Sequence, residues 1–128
     1  LRLHEKNLGE LHPHVAATCE NLAILHKRQG RLDEALPLYL RALKAREESL
    51  GPDHPDVAIS CNNLGCLYMD QGRLRQAKEL LNRALLIWTG SKPAGHPDLV
   101  KLNRNLWRLD ATLAGKDVSW TRNIPFGL

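Results

Sequence analysis

The chain repeats itself with a period of 42 residues, and a His-Pro pair marks each repeat at residues 12–13, 54–55 and 96–97. When residues 8–49 are aligned with residues 50–91, 20 of the 42 positions are identical. Periods of about 20–50 residues are typical of solenoids, in which a repeat buries its apolar face only by stacking on its neighbours. The chain is therefore predicted to fold as a stack of similar units.

Each repeat is predicted to contain two helices joined by a short turn. Residues 57–69 carry apolar side chains at helical spacing, and a second such run follows residues 70–72. Pro55 suits the first turn of a helix, because the N–H that it lacks would have no intrahelical partner there. Asp56 then places a carboxylate at the positive end of the helix dipole. Applied to the whole chain, the pattern predicts helices near residues 13–29, 31–49, 55–71, 73–90 and 97–113.

The second repeat resembles the tetratricopeptide repeat. It has Asn-Leu-Gly-x-x-Tyr at residues 63–68, then Gly72, then Ala-x-x-x-Leu-x-x-Ala at residues 77–84. The long period and the sequence LGPDHPDVA at residues 50–58 resemble in particular the kinesin light chain and nephrocystin-3 subfamily. The resemblance implies an all-α fold, an α-solenoid of antiparallel helix pairs with about two full repeats plus flanking helices.

The alignment of the repeats also predicts the organisation of the chain. Residues 1–7 align with residues 43–49 and are expected to form the end of a preceding second helix. Full repeats are predicted at residues 8–49 and 50–91, and a degenerate or capping repeat at residues 92–113. Together these segments make a repeat array over residues 1–113, followed by a C-terminal tail at residues 114–128.

The third repeat departs from the pattern at Trp107, where the first two repeats have Ala23 and Gly65. This bulky side chain is expected to widen or remove the usual contact between the two helices of a repeat. The tail lacks apolar helical periodicity, so no regular second helix is predicted there. Trp120 and Phe126 are instead expected to pack on apolar surface of the third repeat or of a second chain.

Composition and charge argue against several functional classes. The formal charge of +4 comes from basic residues that are interleaved with acidic ones, so no nucleic-acid partner is expected. Cys19, Cys61 and Cys66 form no CxxC pair, which favours core cysteines in a reducing, cytoplasmic compartment. We expect no membrane span or leader, and the sequence contains no recognisable nucleophile–base, metal or phosphate-binding motif. We therefore expect a protein that is not an enzyme and needs no cofactor or metal.

The resemblance further implies that the first helix of each repeat lines a concave groove. The positions transferred by the repeat alignment are Ala17, Glu20, Asn21, Ile24, Lys27 and Arg28; Ile59, Asn62, Asn63, Cys66, Met69 and Asp70; and Lys101, Arg104, Asn105 and Arg108. The candidate peptide-binding residues among them are Asn21, Ile24, Lys27, Asn62, Asn63, Cys66, Met69, Lys101, Arg104, Asn105 and Arg108.

Two patterns within this set suggest what the groove binds. An asparagine recurs at one equivalent position in all three repeats, where its amide could hold the backbone of an extended peptide or form local hydrogen bonds. Lys101, Arg104 and Arg108 share one helix face, which fits either an acidic peptide or a solvated basic surface. The carboxylate clamp of chaperone-binding relatives is only partly met, because Glu20 and Ile24 occupy positions that require Lys and Asn.

The sequence thus predicts a module that binds a short, acidic segment of a partner protein, as an adaptor or scaffold. The alternative is a structural role in which the chain forms a homodimer through exposed array ends or the tail.

Overall fold

The structure is a computed structural model that describes residues 12–115, and this part of the chain consists of helices and turns without strands. The helices are α1 (His12–Arg28), α2 (Leu32–Leu50), α3 (Pro55–Asp70), α4 (Leu74–Ser91) and α5 (Pro97–Leu113). Every helix begins and ends within one residue of its predicted position, so the all-α prediction is confirmed. The predictions for residues 1–7, and for the tail beyond residue 115, lie outside the described residues.

The helices pack as an array of hairpins. Within each repeat α1 packs on α2 and α3 packs on α4, while α2 and α4 also pack on the first helix of the next repeat. Helix α3 additionally contacts α5. The first helices of the repeats therefore lie side by side, which is the arrangement that the repeat alignment predicts for an α-solenoid.

The turn inside each repeat follows from the shared sequence Gln-Gly-Arg-Leu. Gly30 and Gly72 have φ of +77° and +78°, a left-handed conformation that favours glycine. The N–H groups of Arg31 and Arg73 then reach back five residues and each donates a 2.8 Å hydrogen bond to a carbonyl near the end of the preceding helix. This is the Schellman type of helix end, and it reverses the chain so that the two helices of a repeat can pair.

The recurring His-Pro-Asp sequence forms the start of the first helix in a repeat. Nδ1 of His54 accepts a 3.0 Å hydrogen bond from the N–H of Asp56, and Nδ1 of His96 accepts one of 3.1 Å from the N–H of Asp98. The histidines are therefore helix caps, a role that serine, threonine or aspartate fills more often. The sequence placed these histidines at helix entries, and the structure adds the capping hydrogen bond.

One register position controls how closely the two helices of a repeat approach. A Cβ atom on Gly65 would lie 2.9 Å from Cγ of the buried Leu81, so only glycine fits between α3 and α4 as they stand. The equivalent residue of the first repeat, Ala23, is fully buried. The equivalent residue of the third repeat, Trp107, is 52% exposed, and no second helix follows α5 within residues 12–115.

Candidate functional site

The sixteen groove positions lie on the first helices α1, α3 and α5, which are adjacent in the stack. The structure brings several of the predicted residues into contact across helix boundaries. These contacts fall into two groups, one between α3 and α5 and one between α1 and α3.

Between α3 and α5, two predicted groove amides meet the thiol of Cys66. The side-chain N–H of Asn105 donates to Cys66 Sγ at 3.5 Å, and the thiol donates to Oδ1 of Asn62 at 3.9 Å. Burial raises the pKa of the Cys66 thiol, so this sulfur is a neutral hydrogen-bonding group at neutral pH rather than a nucleophile. The contact joins polar groups of two neighbouring repeats into one surface.

Between α1 and α3, Lys27 Nζ lies 3.3 Å from Oδ2 of Asp70. Lys27 and Arg108 both lower the pKa of Cys66, against the larger effect of its burial, and Asp70 raises it. The geometry thus joins predicted groove residues in two contacts, Lys27 with Asp70 across α1 and α3, and Asn62 and Asn105 with Cys66 across α3 and α5.

The basic residues of the groove are concentrated at α5. Lys101 is exposed, while Arg104 and Arg108 are half-buried. In the other two repeats the residues equivalent to these three are Ala17, Glu20 and Ile24, and Ile59, Asn62 and Cys66. At these three register positions the side chains therefore change from apolar, acidic or neutral at α1 and α3 to cationic at α5.

The remaining predicted residues differ in their exposure. Asn21 is exposed on α1 and Asn63 is half-buried on α3. Ile24 and Met69 are half-buried and pack against the main hydrophobic core. Both residues therefore have one side in the core and offer only part of their surface to a ligand.

Glu20 does not line an open groove, contrary to its position in the repeat alignment. Its side chain is buried, and Oε1 lies 2.8 Å from Nη1 of Arg46 on α2. Oε2 accepts a 2.8 Å hydrogen bond from the hydroxyl of Ser60 on α3, which in turn accepts one from Arg46 at 3.0 Å. Because a buried carboxylate needs a paired cation, this network ties α1, α2 and α3 together. The repeat alignment does not predict this network, since Arg46 aligns with Trp88 in the second repeat.

The other cysteines and Tyr39 belong to the core. Cys19 and Cys61 are fully buried, and burial raises the pKa of both thiols, that of Cys61 to about 11. Burial also raises the pKa of Tyr39 to about 12. These groups stay protonated at neutral pH and have no access to a substrate.

Two further observations concern the described part of the chain. Among residues 12–115 no three His, Cys, Asp or Glu side chains are grouped as metal ligands, and no helix has the length and apolarity that crossing a membrane requires.

An open depression of about 570 Å³ lies at the turns of the first two repeats, next to Arg31, Asp33, Gln71 and Arg73. Its lining mixes charges of both signs and contains none of the predicted groove residues.

Comparison with solved structures finds similar repeat arrays. A kinesin light chain-like protein of Podospora anserina with nearly identical TPR-like repeats matches 90% of this chain at 24% identity and a TM-score of 0.77. The protein BtubC (BKLC) of P. vanneervenii matches 78% of the chain at 28% identity and a TM-score of 0.71. The chain covers 54% and 40% of these two proteins, respectively, so it spans about half of their length or less.

Comparison with protein families supplies the assignment. None of the curated proteins matches the chain. The family model for the tetratricopeptide repeat matches residues 14–89, which is more than half of the sequence. Repeats of this family generally mediate protein–protein interactions and are generally not catalytic. The helix pairs, the glycine turns and this match together show that the chain belongs to the tetratricopeptide repeat family, and it is similar to the kinesin light chain-like members of that family.

Proposed function

We propose that this chain is a protein-binding module whose groove holds a short acidic segment of a partner in extended form, as an adaptor or scaffold in the cytoplasm. The observation that carries the proposal is the junction of α3 and α5, where Asn62, Cys66 and Asn105 meet on the helix pair that also carries Lys101, Arg104 and Arg108. We assign the chain no catalytic, cofactor-binding or metal-binding role and no nucleic-acid or membrane partner.

The amides provide recognition that does not depend on the side chains of the ligand. An extended peptide has backbone N–H and C=O groups that are not used within the peptide itself, and an asparagine amide can pair with both kinds. Asn21, Asn63 and Asn105 repeat this group once in each unit, at the spacing of the stacked helices. Cys66 and Asn62 lie on α3, and Cys66 contacts Asn105 of the next repeat, so polar side chains meet where α3 packs against α5.

The charges favour a ligand that carries carboxylates. Lys27 pairs with Asp70 at 3.3 Å between α1 and α3. Lys101, Arg104 and Arg108 place three cationic side chains on α5. Half-buried guanidinium groups bind carboxylates better than fully solvated ones, because less solvent screens the pair. The acidic residues of the ligand would therefore lie over α5.

The proposal is tested by screening an array of acidic peptides with the chain and then titrating a hit by fluorescence anisotropy at low and high salt. Affinity should fall as salt rises, and Asn63→Ala and Lys101→Ala should each weaken binding by about 2- to 5-fold. Arg75→Ala is the matched control, since Arg75 is an exposed cation on α4 outside the groove. Equal weakening by Arg75→Ala, or equal binding of a scrambled peptide of the same charge, would contradict recognition in the groove.

The alternative is self-association of the chain through the end of the array at α5. Trp107 and Leu113 expose large apolar side chains on this helix, which suits a homodimer contact. Mass measured by light scattering at several concentrations decides between the two functions. A dimer that Trp107→Ala converts to a monomer would favour the structural role, whereas a monomer at all concentrations would remove it.

A further inference from the structure

Within residues 12–115, helices α1 and α3 are joined across the groove by one buried and one exposed polar contact. Oε2 of Glu20 accepts a 2.8 Å hydrogen bond from the hydroxyl of Ser60, and both side chains are buried. Lys27 Nζ lies 3.3 Å from Oδ2 of Asp70, but these side chains are 31% and 48% exposed. Because water and salt weaken an exposed ion pair, the buried contact is the one that can fix the distance between the two helices.

The contact between Glu20 and Ser60 is also held from a third helix. Nη1 of Arg46 on α2 lies 2.8 Å from Oε1 of Glu20 and donates a 3.0 Å hydrogen bond to Ser60 Oγ. Each of the three side chains therefore bonds the other two. Because hydrogen bonds weaken quickly outside a narrow range of distances and angles, such a network allows little change in the spacing of the helices.

The neighbouring junction between α3 and α5 is built differently. At the positions equivalent to Glu20 and Ser60 it has Asn62 and Leu102. Oδ1 of Asn62 accepts from a thiol of its own helix, and Leu102 is fully buried in the hydrophobic core. The amide–thiol contact across this junction is longer, at 3.5 Å, and sulfur is a weak acceptor. A short charged network therefore spaces α1 and α3, whereas apolar packing and a weak contact space α3 and α5.

The network lies next to two of the groove amides. Asn21 follows Glu20 directly on α1, and Asn63 lies three residues, or about one helical turn, beyond Ser60 on α3. The separation of the two amides therefore depends on the hydrogen bond between Glu20 and Ser60. An extended peptide advances about 3.3 Å per residue, so its backbone groups meet both amides only when the helices have a matching spacing.

We propose that Ser60 is a positioning residue of the groove, whose hydroxyl sets the spacing of α1 and α3 and thereby places Asn21 within reach of the ligand. Ser60 is fully buried, so it acts through the helices and not by touching the ligand. The inference rests on the proposed peptide-binding function. The ligand that this arrangement fits is a peptide long enough to cross all three first helices, because a shorter one over α3 and α5 does not use the spacing.

The spacing is measured first, without ligand, by pulsed electron paramagnetic resonance between nitroxide labels at exposed positions. Thr18→Cys with Ile59→Cys spans α1 and α3, and the control pair, Ile59→Cys with Lys101→Cys, spans α3 and α5. Both pairs carry Cys66→Ser, and the other two native cysteines are buried. Ser60→Ala should broaden the distance distribution of the first pair and leave that of the control pair unchanged. An unchanged distribution for the first pair overturns the proposal.

Binding is then measured as a double-mutant cycle with an acidic peptide from the array. Asn21→Ala should weaken binding by about 2- to 5-fold in the original chain but by less than about 1.5-fold in the Ser60→Ala background, because the amide is then already misplaced. Asn105→Ala on α5 is the matched control and should cost the same factor in both backgrounds. Equal effects of Asn21→Ala in both backgrounds overturn the positioning role. If the original chain binds no acidic peptide, the proposed function fails, and the spacing measurement still supports or overturns the assignment to Ser60.

Discussion

Removing one partner of the buried ion pair between Glu20 and Arg46 should cost far more stability than removing one partner of a more exposed pair of the same length. Its two side chains are only 7% and 12% exposed, and Arg46 also donates to Ser60 and to the carbonyl of Asp56. Substituting Arg46 by Met keeps most of the side-chain volume but leaves a buried carboxylate with one hydroxyl partner. Removal of one member of a buried pair costs about 3–5 kcal/mol, which is a large part of the stability of a domain of this size.

The pair between Arg83 and Glu47 provides the matched control. Nη2 of Arg83 lies 2.7 Å from Oε2 of Glu47, compared with 2.8 Å between the charged atoms of the buried pair. The side chains of Arg83 and Glu47, however, are 33% and 35% exposed. Arg83→Met should therefore cost only about 0.2–1 kcal/mol, because water solvates the carboxylate that remains. Comparing the two substitutions separates the effect of burial from the effect of distance.

The assay is urea unfolding followed by far-ultraviolet circular dichroism at neutral pH. Arg46→Met should lower the urea concentration at the midpoint of unfolding several times more than Arg83→Met does, and neither substitution should change the m-value. The double variant Glu20→Met/Arg46→Met should recover most of the loss, since replacing a buried ion pair by apolar side chains is often neutral. The reasoning is refuted if both single variants shift the midpoint equally, or if the double variant is as unstable as Arg46→Met.

Four more outcomes are expected from the structure and the repeat pattern. Leu64→Ala should cost about 2–5 kcal/mol in chemical unfolding, whereas Asn63→Ala, at a half-buried groove position, should cost less than about 1 kcal/mol. His54→Ala should lower stability by about 1 kcal/mol and His54→Asn should restore it, because the side chain caps α3. Pro37→Glu should raise the melting temperature, since the proline lies inside α2 and costs up to about 3 kcal/mol there. Deleting residues 117–128 should lower the melting temperature or promote aggregation; a monomer of unchanged stability would show that the tail is a free linker.

The fold could be predicted from the sequence because residues at the ends of the helices mark where they start and stop, and the same residue types recur one repeat later. Pro55 begins α3 and Gly72 ends the turn that follows it, and the same residue types recur 42 positions away. The cap formed by His54 was not predicted in detail, because histidine is an uncommon capping residue and only the structure shows the direction of Nδ1.

The site could be predicted only in part, because the repeat alignment gives the face of a helix but not the contacts between helices. It placed Asn62, Cys66 and Asn105 on one surface, and the structure shows that they touch. It also placed Glu20 on that surface, where the side chain instead turns into a buried network with Arg46. The partner of Glu20 occupies a position that is tryptophan in the next repeat, so no repeat pattern could reveal the pair.

One register position decides whether the first helix of a repeat can accept a second helix. At this position the first two repeats have the small residues Ala23 and Gly65, and the third repeat has the much larger Trp107. The neighbouring leucines recur in all three repeats. Gly65 allows Leu81 to lie so close that a Cβ atom would overlap it, so a tryptophan ring at this position is incompatible with that helix pairing. Helix α5 nevertheless buries Leu102 and Leu109 as fully as α3 buries Leu67. The leucines that bury α5 in the stack are therefore different residues from the one that sets the approach of a second helix, so the change at residue 107 leaves the burial of Leu102 and Leu109 intact.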